Sequence, residues 1–514
     1  MYKIKLLISC VFAFLLINCN DQDVDFNITE NDVYNATNIF PQPPSQWMGT
    51  SNPYFTEGYV GDVMPYYENG KFHMFFLHDA KSKPANAGIH DIHSFETSDF
   101  INYSYNGRQI PYGNSTDADF AVGTGSLIKS GGTYYYFYTG HNATSAFLAG
   151  NPRESILLAT STDMKNWSKI TDFKITAPQG YYDFEFRDPH VMYNQEENKY
   201  WMLVSAQTDD RRAVVLKFTT TDLASGDWSV ESPIYTSPNT ENYIMLECPD
   251  LFKMGDYWYL VFSENWSDSP GTKYRYSSSP NGPWVKPEND QFDGSYFYAA
   301  KTVSDGTNRF ITGWTARKAP ENNTGAKEWA GNMMTHQLVQ NSNGTLGVKP
   351  LETLSSVFTN EVALTLKEYS GSVNQSGNSF SLGATSKATF DALRKSNKIS
   401  FQLQQNTGLA GIILAEEGNS EKGVKIEFNE STKELKAYTL LNGTETLMNH
   451  HSFAALNTNS YDVNLYISNN ICVVYINDLV AFSVRLYDIA GKKWSFYSIN
   501  TASFNKVILK NSQK

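Results

Sequence analysis

Long apolar runs are almost missing from this 514-residue chain. The one stretch, Leu6 to Ile17, is too short for a comfortable membrane span, and no second run follows it, so the rest is expected to be soluble. Cysteine is nearly as scarce. Of four in all, Cys10 falls inside that stretch and Cys19 just behind it. Cys248 and Cys472 remain, far apart, which argues for two free thiols and against a disulfide framework. Basic residues are outnumbered, 41 Lys and Arg against 53 Asp and Glu, for a formal charge of −12. A nucleic-acid surface needs clustered cations, so no nucleic-acid partner is expected. Helical periodicity is weak throughout, so a doubly wound α/β fold has no helices to set between its strands.

Aromatics are plentiful at 14%, with 32 Tyr and 31 Phe, and these residue types favour strands. Lys3 and Lys5 precede the apolar stretch, which ends in Leu16-Ile17-Asn18-Cys19. This resembles a bacterial lipoprotein signal, in which the cysteine becomes the lipidated first residue. The resemblance implies a signal over residues 1–18, lipidation at Cys19 and export across the inner membrane of a bacterium. The protein would then be held by its lipid in the periplasm or at the cell surface. Residues 19–40 carry Asp21, Asp23, Asp25, Glu30 and Asp32 without Lys or Arg, and are expected to form a flexible acidic tether.

From residue 41 to 350 the chain repeats. Each copy has a first strand, a turn and an aromatic second strand, and the second strands begin at Phe72, Tyr134, Tyr200, Tyr257 and Phe310. The spacing is roughly 60 residues, the signature of a radial array. Four copies are followed by a short polar segment closing on an aromatic: Thr97 to Tyr103, Ser161 to Trp167, Thr220 to Trp228 and Ser277 to Trp284. Each is expected to end a third strand and anchor its blade with a buried ring. Residues 351–514 alternate without that repeat, with hairpin turns at Asn469-Asn470 and Asn477-Asp478. The predicted fold is all-β: a five-bladed β-propeller followed by a C-terminal β-sandwich.

Propeller geometry makes the acids of the first strands interesting, because those strands line the axis and open into one pocket. Asp62, Asp188 and Glu247 sit in copies one, three and four, and copies two and five offer Thr124, Ser126, Tyr298 and Lys301. Three acids around a small pocket suit glycosidic-bond cleavage: one attacks the anomeric carbon, one protonates the leaving oxygen and one holds sugar hydroxyls. His73, His78, His90 and His93 cluster in sequence, but strand alternation favours structural or sugar-contacting roles over a metal site. Cys248 has no neighbouring histidine to activate it and reads as a small buried residue.

Phe186-Arg187-Asp188-Pro189 resembles the Arg-Asp-Pro motif of glycoside hydrolase family 32, the fructan hydrolases and invertases. Leu246-Glu247-Cys248-Pro249-Asp250 resembles that family's Glu-Cys-Pro-Asp motif, Tyr298-Ala299-Ala300 its Tyr-Ala-Pro and Gly313-Trp314 its Gly-Trp. Trp329-Ala330-Gly331 resembles the stretch leading into its last blade. The resemblance implies a retaining enzyme, without cofactor or metal, that cleaves β-fructofuranosidic bonds in fructans or sucrose-like sugars. It implies Asp62 as nucleophile, Glu247 as acid/base and Asp188 as transition-state stabiliser. Arg187, Thr124, Ser126, Tyr298 and Trp314 are the expected substrate-binding residues. The partner is an oligo- or polysaccharide.

One departure stands out. The family's first motif is usually Trp-Met-Asn-Asp-Pro-Asn-Gly, whereas this chain has Trp47-Met48-Gly49 apart from Gly61-Asp62-Val63-Met64-Pro65. Asp79 is the next candidate nucleophile. Two other readings stay open: an inverting arabinan or xylan hydrolase resembling family 43, and a surface glycan-binding protein that has lost catalysis. Pocket depth is expected to depend on the loops Lys81 to Ala87 and Pro320 to Lys327.

Overall fold

The structure, a computed structural model, describes residues 34–45, 47–48, 54–55, 57–83 and 87–512. The signal, Cys19, the acidic run to Asp32, Gly49 and part of the Lys81 to Ala87 loop lie outside the described residues. Helix is confined to Ser145–Leu148 and a 3-10 turn at Glu352–Ser356 among these residues, and strands account for most of the rest.

Five antiparallel meanders follow one another. Their innermost strands are Gly58–Glu68, Ala121–Ser130, Tyr181–Asn194, Glu247–Met254 and Phe297–Ser304, and they define blades I to V. Each inner strand packs on the next and the fifth packs on the first, which closes the ring. Second strands run Lys71–Ala80, Thr133–His141, Lys199–Thr208, Tyr257–Glu264 and Arg309–Ala319, beginning within a residue of the predicted positions.

The polar segments behind the third strands are turns built by side chains. Thr97 Oγ1 accepts the N–H groups of Asp99 and Phe100, and Asp99 Oδ1 accepts those of Ile101 and Asn102. Ser161 with Asp163 repeats the same arrangement in blade II. Such side-chain to backbone bonds satisfy the strand end locally. Tyr103 and Trp228 are buried as expected. Trp167 and Trp284 are only half-buried, and Trp284 instead donates its indole N–H to the Ile234 carbonyl at 2.8 Å.

The N-terminal segment corrects one boundary. Residues 34–40, expected within the tether, belong to the propeller. Tyr34–Thr37 adds an outer strand to blade I, pairing with Asn102 to Tyr105. Ile39 and Phe40 then enter the core, the Phe40 carbonyl accepts from Asn332 Nδ2 at 2.9 Å, and the Pro41 carbonyl accepts from Met333 N at 3.1 Å. Asn332 and Met333 lie in blade V, so this segment clasps the first blade to the last. A single backbone bridge, Gly331 to Val60, reinforces the seam.

After Leu346–Lys349, the last propeller strand, the chain forms two sheets of eight and seven strands packed face to face. Strand Ser396–Gln404 alternates buried and half-buried residues, as one inward face requires. Asn477 and Asp478 both take positive φ, which a type I′ hairpin turn demands. Within this core Phe496 stacks on Phe504 and meets Trp494 edge-on.

The two domains interlock through buried polar groups. Arg485 of the sandwich donates to the carbonyls of Thr315 and Ala316 and to Asn332 Oδ1, at 2.8–2.9 Å. Asn449 Oδ1 accepts the Ser295 N–H at 2.9 Å, and Asn323 Oδ1 accepts the Tyr487 N–H at 2.8 Å. The Pro320 to Lys327 loop is therefore held partly from the sandwich.

Candidate active site

All five inner strands carry the same irregularity. Two residues stand opposite one on the second strand: Gly61-Asp62, Gly123-Thr124, Asp188-Pro189, Cys248-Pro249 and Ala299-Ala300. These are β-bulges, which kink a strand and re-aim its side chains. Asp188, Cys248 and Ala299 adopt φ of 63°, 53° and 52°, a strained conformation for residues with a Cβ that is characteristic of functional sites.

The bulges correct the expected register of the acids. Counted from the bulge, Asp188 is its first residue, Asp62 its second, and Glu247 comes one before it. The three carboxylates converge from three staggered positions rather than from equivalent ones. With Arg187, Thr124, Tyr298, Trp314 and Cys248 they line one cavity of about 520 Å³.

Each acid has its own support. Asp62 is held from both sides: Thr124 Oγ1 donates to Oδ2 at 2.5 Å and Trp314 Nε1 donates to Oδ1 at 2.9 Å. Asp188 Oδ2 accepts the Cys248 N–H at 2.9 Å, and the Asp188 N–H is spent on Thr139 Oγ1 at 2.8 Å. Glu247 accepts from Arg187 at 2.9 Å on one oxygen and from the Tyr298 hydroxyl at 2.5 Å on the other. The Cys248 thiol lies 3.7–3.8 Å from carboxylate oxygens of Asp62 and Asp188. Burial, then the charges of those two acids, push it well up, so it stays a thiol.

Burial raises Asp62, opposed by the hydrogen bonds from Thr124 and Trp314. Burial likewise raises Asp188, to about 7; Arg187 opposes this, while Glu247 and Asp62 add to it. Between about pH 4 and pH 7 folded Asp188 keeps a proton that the unfolded chain has released, so this group's contribution to stability falls as pH rises. Asp188→Asn removes that slope. Its urea midpoint relative to wild type is expected to rise between about pH 5 and about pH 7.5, and equal midpoint differences at both pH values would contradict the reading.

One expected sugar contact is misplaced. Ser126 lies past the bulge, where inner strands pack on each other, and its Oγ accepts the Val191 N–H of blade III at 2.9 Å. It does not line the cavity. Lys301 is likewise turned aside, donating to the Pro249 carbonyl at 2.8 Å. Asp79 is outside the cavity and pairs with Arg317 and Lys83. Of the four clustered histidines only His90 lines the cavity; His78 and His93 stack on each other with centroids 4.0 Å apart.

The reading from sequence missed Glu154 and His141. Glu154 opens the third strand of blade II opposite His141, accepts the Phe186 N–H at 2.7 Å and meets Arg187 at 3.3 Å. Glu185 also pairs with Arg187. No repeat marks Glu154, and its only signal is an acid at the start of an apolar strand. Val63 and Met64, which depart from the usual first motif, are both buried, and Met64 Sδ accepts the Gly125 N–H at 3.0 Å. That stretch packs blade I on blade II instead of facing a ligand.

Comparison with known proteins places this geometry. Residues 58–350 match the glycosyl hydrolases family 32 N-terminal domain, and residues 343–504 match the C-terminal domain described as GH32, BT1760-like. Raffinose invertase of Escherichia coli is 28% identical over 333 residues, covering 61% of this chain and 64% of that protein. The levanbiose-producing levanase of Geobacillus stearothermophilus is 29% identical over 249 residues, covering 46% of this chain and 55% of that one. The chain thus spans less than two thirds of the length of these curated relatives. Sucrose-6-phosphate hydrolase from Lactobacillus gasseri has the same fold, with a TM-score of 0.68 at 18% identity, covering 89% of this chain and 91% of that one. By these matches the chain belongs to glycosyl hydrolase family 32.

Proposed function

We propose that the protein is a retaining β-fructofuranosidase acting on fructans or sucrose-like sugars. The observation that carries this is the pair Asp62 and Glu247 in one cavity, each anchored by its own two donors, with Asp188 between their strands. A volume near 520 Å³ suits a small number of sugar units.

In this reading Asp62 attacks the anomeric carbon from one face while Glu247 gives its proton to the departing glycosidic oxygen. The C–O bond breaks as the Asp62 ester forms. Glu247 then takes a proton from water, whose oxygen displaces Asp62 and releases fructose or a fructosyl chain. Thr124 and Trp314 keep Asp62 aimed through both steps, and Arg187 and Tyr298 fix Glu247. Asp188, backed by the Cys248 N–H, accepts from sugar hydroxyls and steadies the positive charge that develops at the anomeric carbon.

Incubation with sucrose, inulin, levan and arabinan in the presence of methanol tests the reading. The expected outcome is release from the fructosides and a methyl β-fructofuranoside as the first transfer product. A product of inverted configuration rejects the nucleophile role. Release from arabinan alone would favour the inverting alternative, and tight glycan binding without products would favour a binding protein.

A further inference from the structure

Gly61, directly before Asp62, has no need of glycine's backbone freedom, since its φ lies outside the left-handed region. Space is the constraint. A Cβ here would fall 2.3 Å from Trp329 Cη2 and 2.7 Å from Cζ2, closer than real Cβ atoms come to any neighbour. The ring of Trp329 therefore occupies the volume into which a side chain at position 61 would project.

Trp329 arrives there because of its own strand. Ala316 pairs with Gly331 and Arg317 with Glu328, so Trp329 and Ala330 have no partner on the second strand of blade V. Ala330 takes φ of 62°, and this two-residue bulge turns Trp329 out of the ladder and across the seam toward blade I. The ring is half-buried, lines the cavity and stacks on His90 with centroids 4.6 Å apart at 25°. It meets Trp314 edge-on at 5.9 Å, and Trp314 is the residue that donates to Asp62. Trp329, His90 and Trp314 form an aromatic wall beside Asp62, assembled from blades I and V.

We infer that Trp329, admitted by Gly61, is the specificity-determining wall of the subsite that holds the sugar unit attacked by Asp62. This rests on the functional reading above. A furanose offers C–H faces as well as hydroxyls. Where a polar side chain at position 61 would grip hydroxyls, this chain presents an aromatic surface to the apolar face. The side chain at 61 and the ring at 329 exclude one another, so the two positions act as one unit.

A mutant cycle tests this with the full chain, using steady-state hydrolysis of a fructo-oligosaccharide and sugar-induced tryptophan fluorescence change in an Asp62→Asn background. Trp329→Ala is expected to raise KM about tenfold with a smaller change in kcat, and Trp329→Phe to restore most of the affinity. Gly61→Ala displaces the ring and is expected to cost about tenfold in kcat/KM, yet to add little in the Trp329→Ala background. An unchanged KM in Trp329→Ala, or an equal Gly61→Ala penalty in both backgrounds, overturns the inference while leaving the enzyme reading intact. A wild-type chain that hydrolyses no fructoside and shows no fluorescence change overturns the functional reading and the inference with it.

Discussion

Asp62→Ala lowers kcat on a fructoside by roughly 10⁴- to 10⁶-fold, the scale on which loss of a nucleophile acts. Glu247→Ala behaves differently. It loses roughly 10²- to 10⁴-fold on natural sugars, where the leaving oxygen needs a proton, and much less on a substrate whose leaving group departs unaided. Added azide, which needs no base to attack the fructosyl-enzyme, restores part of the Glu247→Ala turnover. The geometry makes the contrast interpretable. Removing the Asp62 carboxylate leaves Thr124 and Trp314 as donors without an acceptor, whereas removing Glu247 frees Arg187 to its remaining partners Glu154 and Glu185. Neither change creates a large void in a core, so both variants are expected to fold with circular dichroism like wild type. Turnover close to wild type in either variant contradicts its assigned role.

The largest stability effect is expected far from the chemistry, at Arg485. Its side chain is almost wholly buried, and no described carboxylate forms an ion pair with it. Its three acceptors are the Thr315 and Ala316 carbonyls and Asn332, beside the bulge that turns out Trp329. Methionine at 485 keeps the volume but leaves these acceptors buried without a donor, at about 1–3 kcal/mol for each such group. Release of a desolvated charge offsets part of this, so Arg485→Met is expected to cost about 3–5 kcal/mol. A urea titration followed by circular dichroism measures it, and a loss below about 1 kcal/mol would show that the acceptors find other partners. The loss should be accompanied by a higher KM, because Trp314 and Trp329 flank the unsatisfied carbonyls.

The propeller and sandwich were legible because their signals are local. An aromatic second strand after a Gly or Asn turn is visible in each repeat, and the Asn477-Asp478 hairpin forms where its residue types require. The three acids were legible too, but not their offset. A bulge adds one residue without altering the composition of a strand, so spacing alone could not separate Asp62, Asp188 and Glu247 into three positions. The same blindness put Ser126 in the pocket, since alternation continues past the bulge on a different footing. The tether was drawn too long because acidic residues drew the boundary, while the apolar pair Ile39-Phe40 was the informative signal. Glu154 escaped notice because its partners, His141 and Arg187, are near it only in space.

The five matching bulges imply that the pocket is modular. Every blade carries the same two-residue bulge, and what fills it differs: an acid and a proline in blade III, a thiol and a proline in blade IV, two alanines in blade V. The bulged backbone does not depend on the chemistry it carries, since Ala299 takes a positive φ as Asp188 does. In blade V both bulge residues are buried in the hydrophobic core and neither lines the cavity. The bulge is thus part of the propeller frame, which blades I to IV turn to the cavity and blade V leaves to packing.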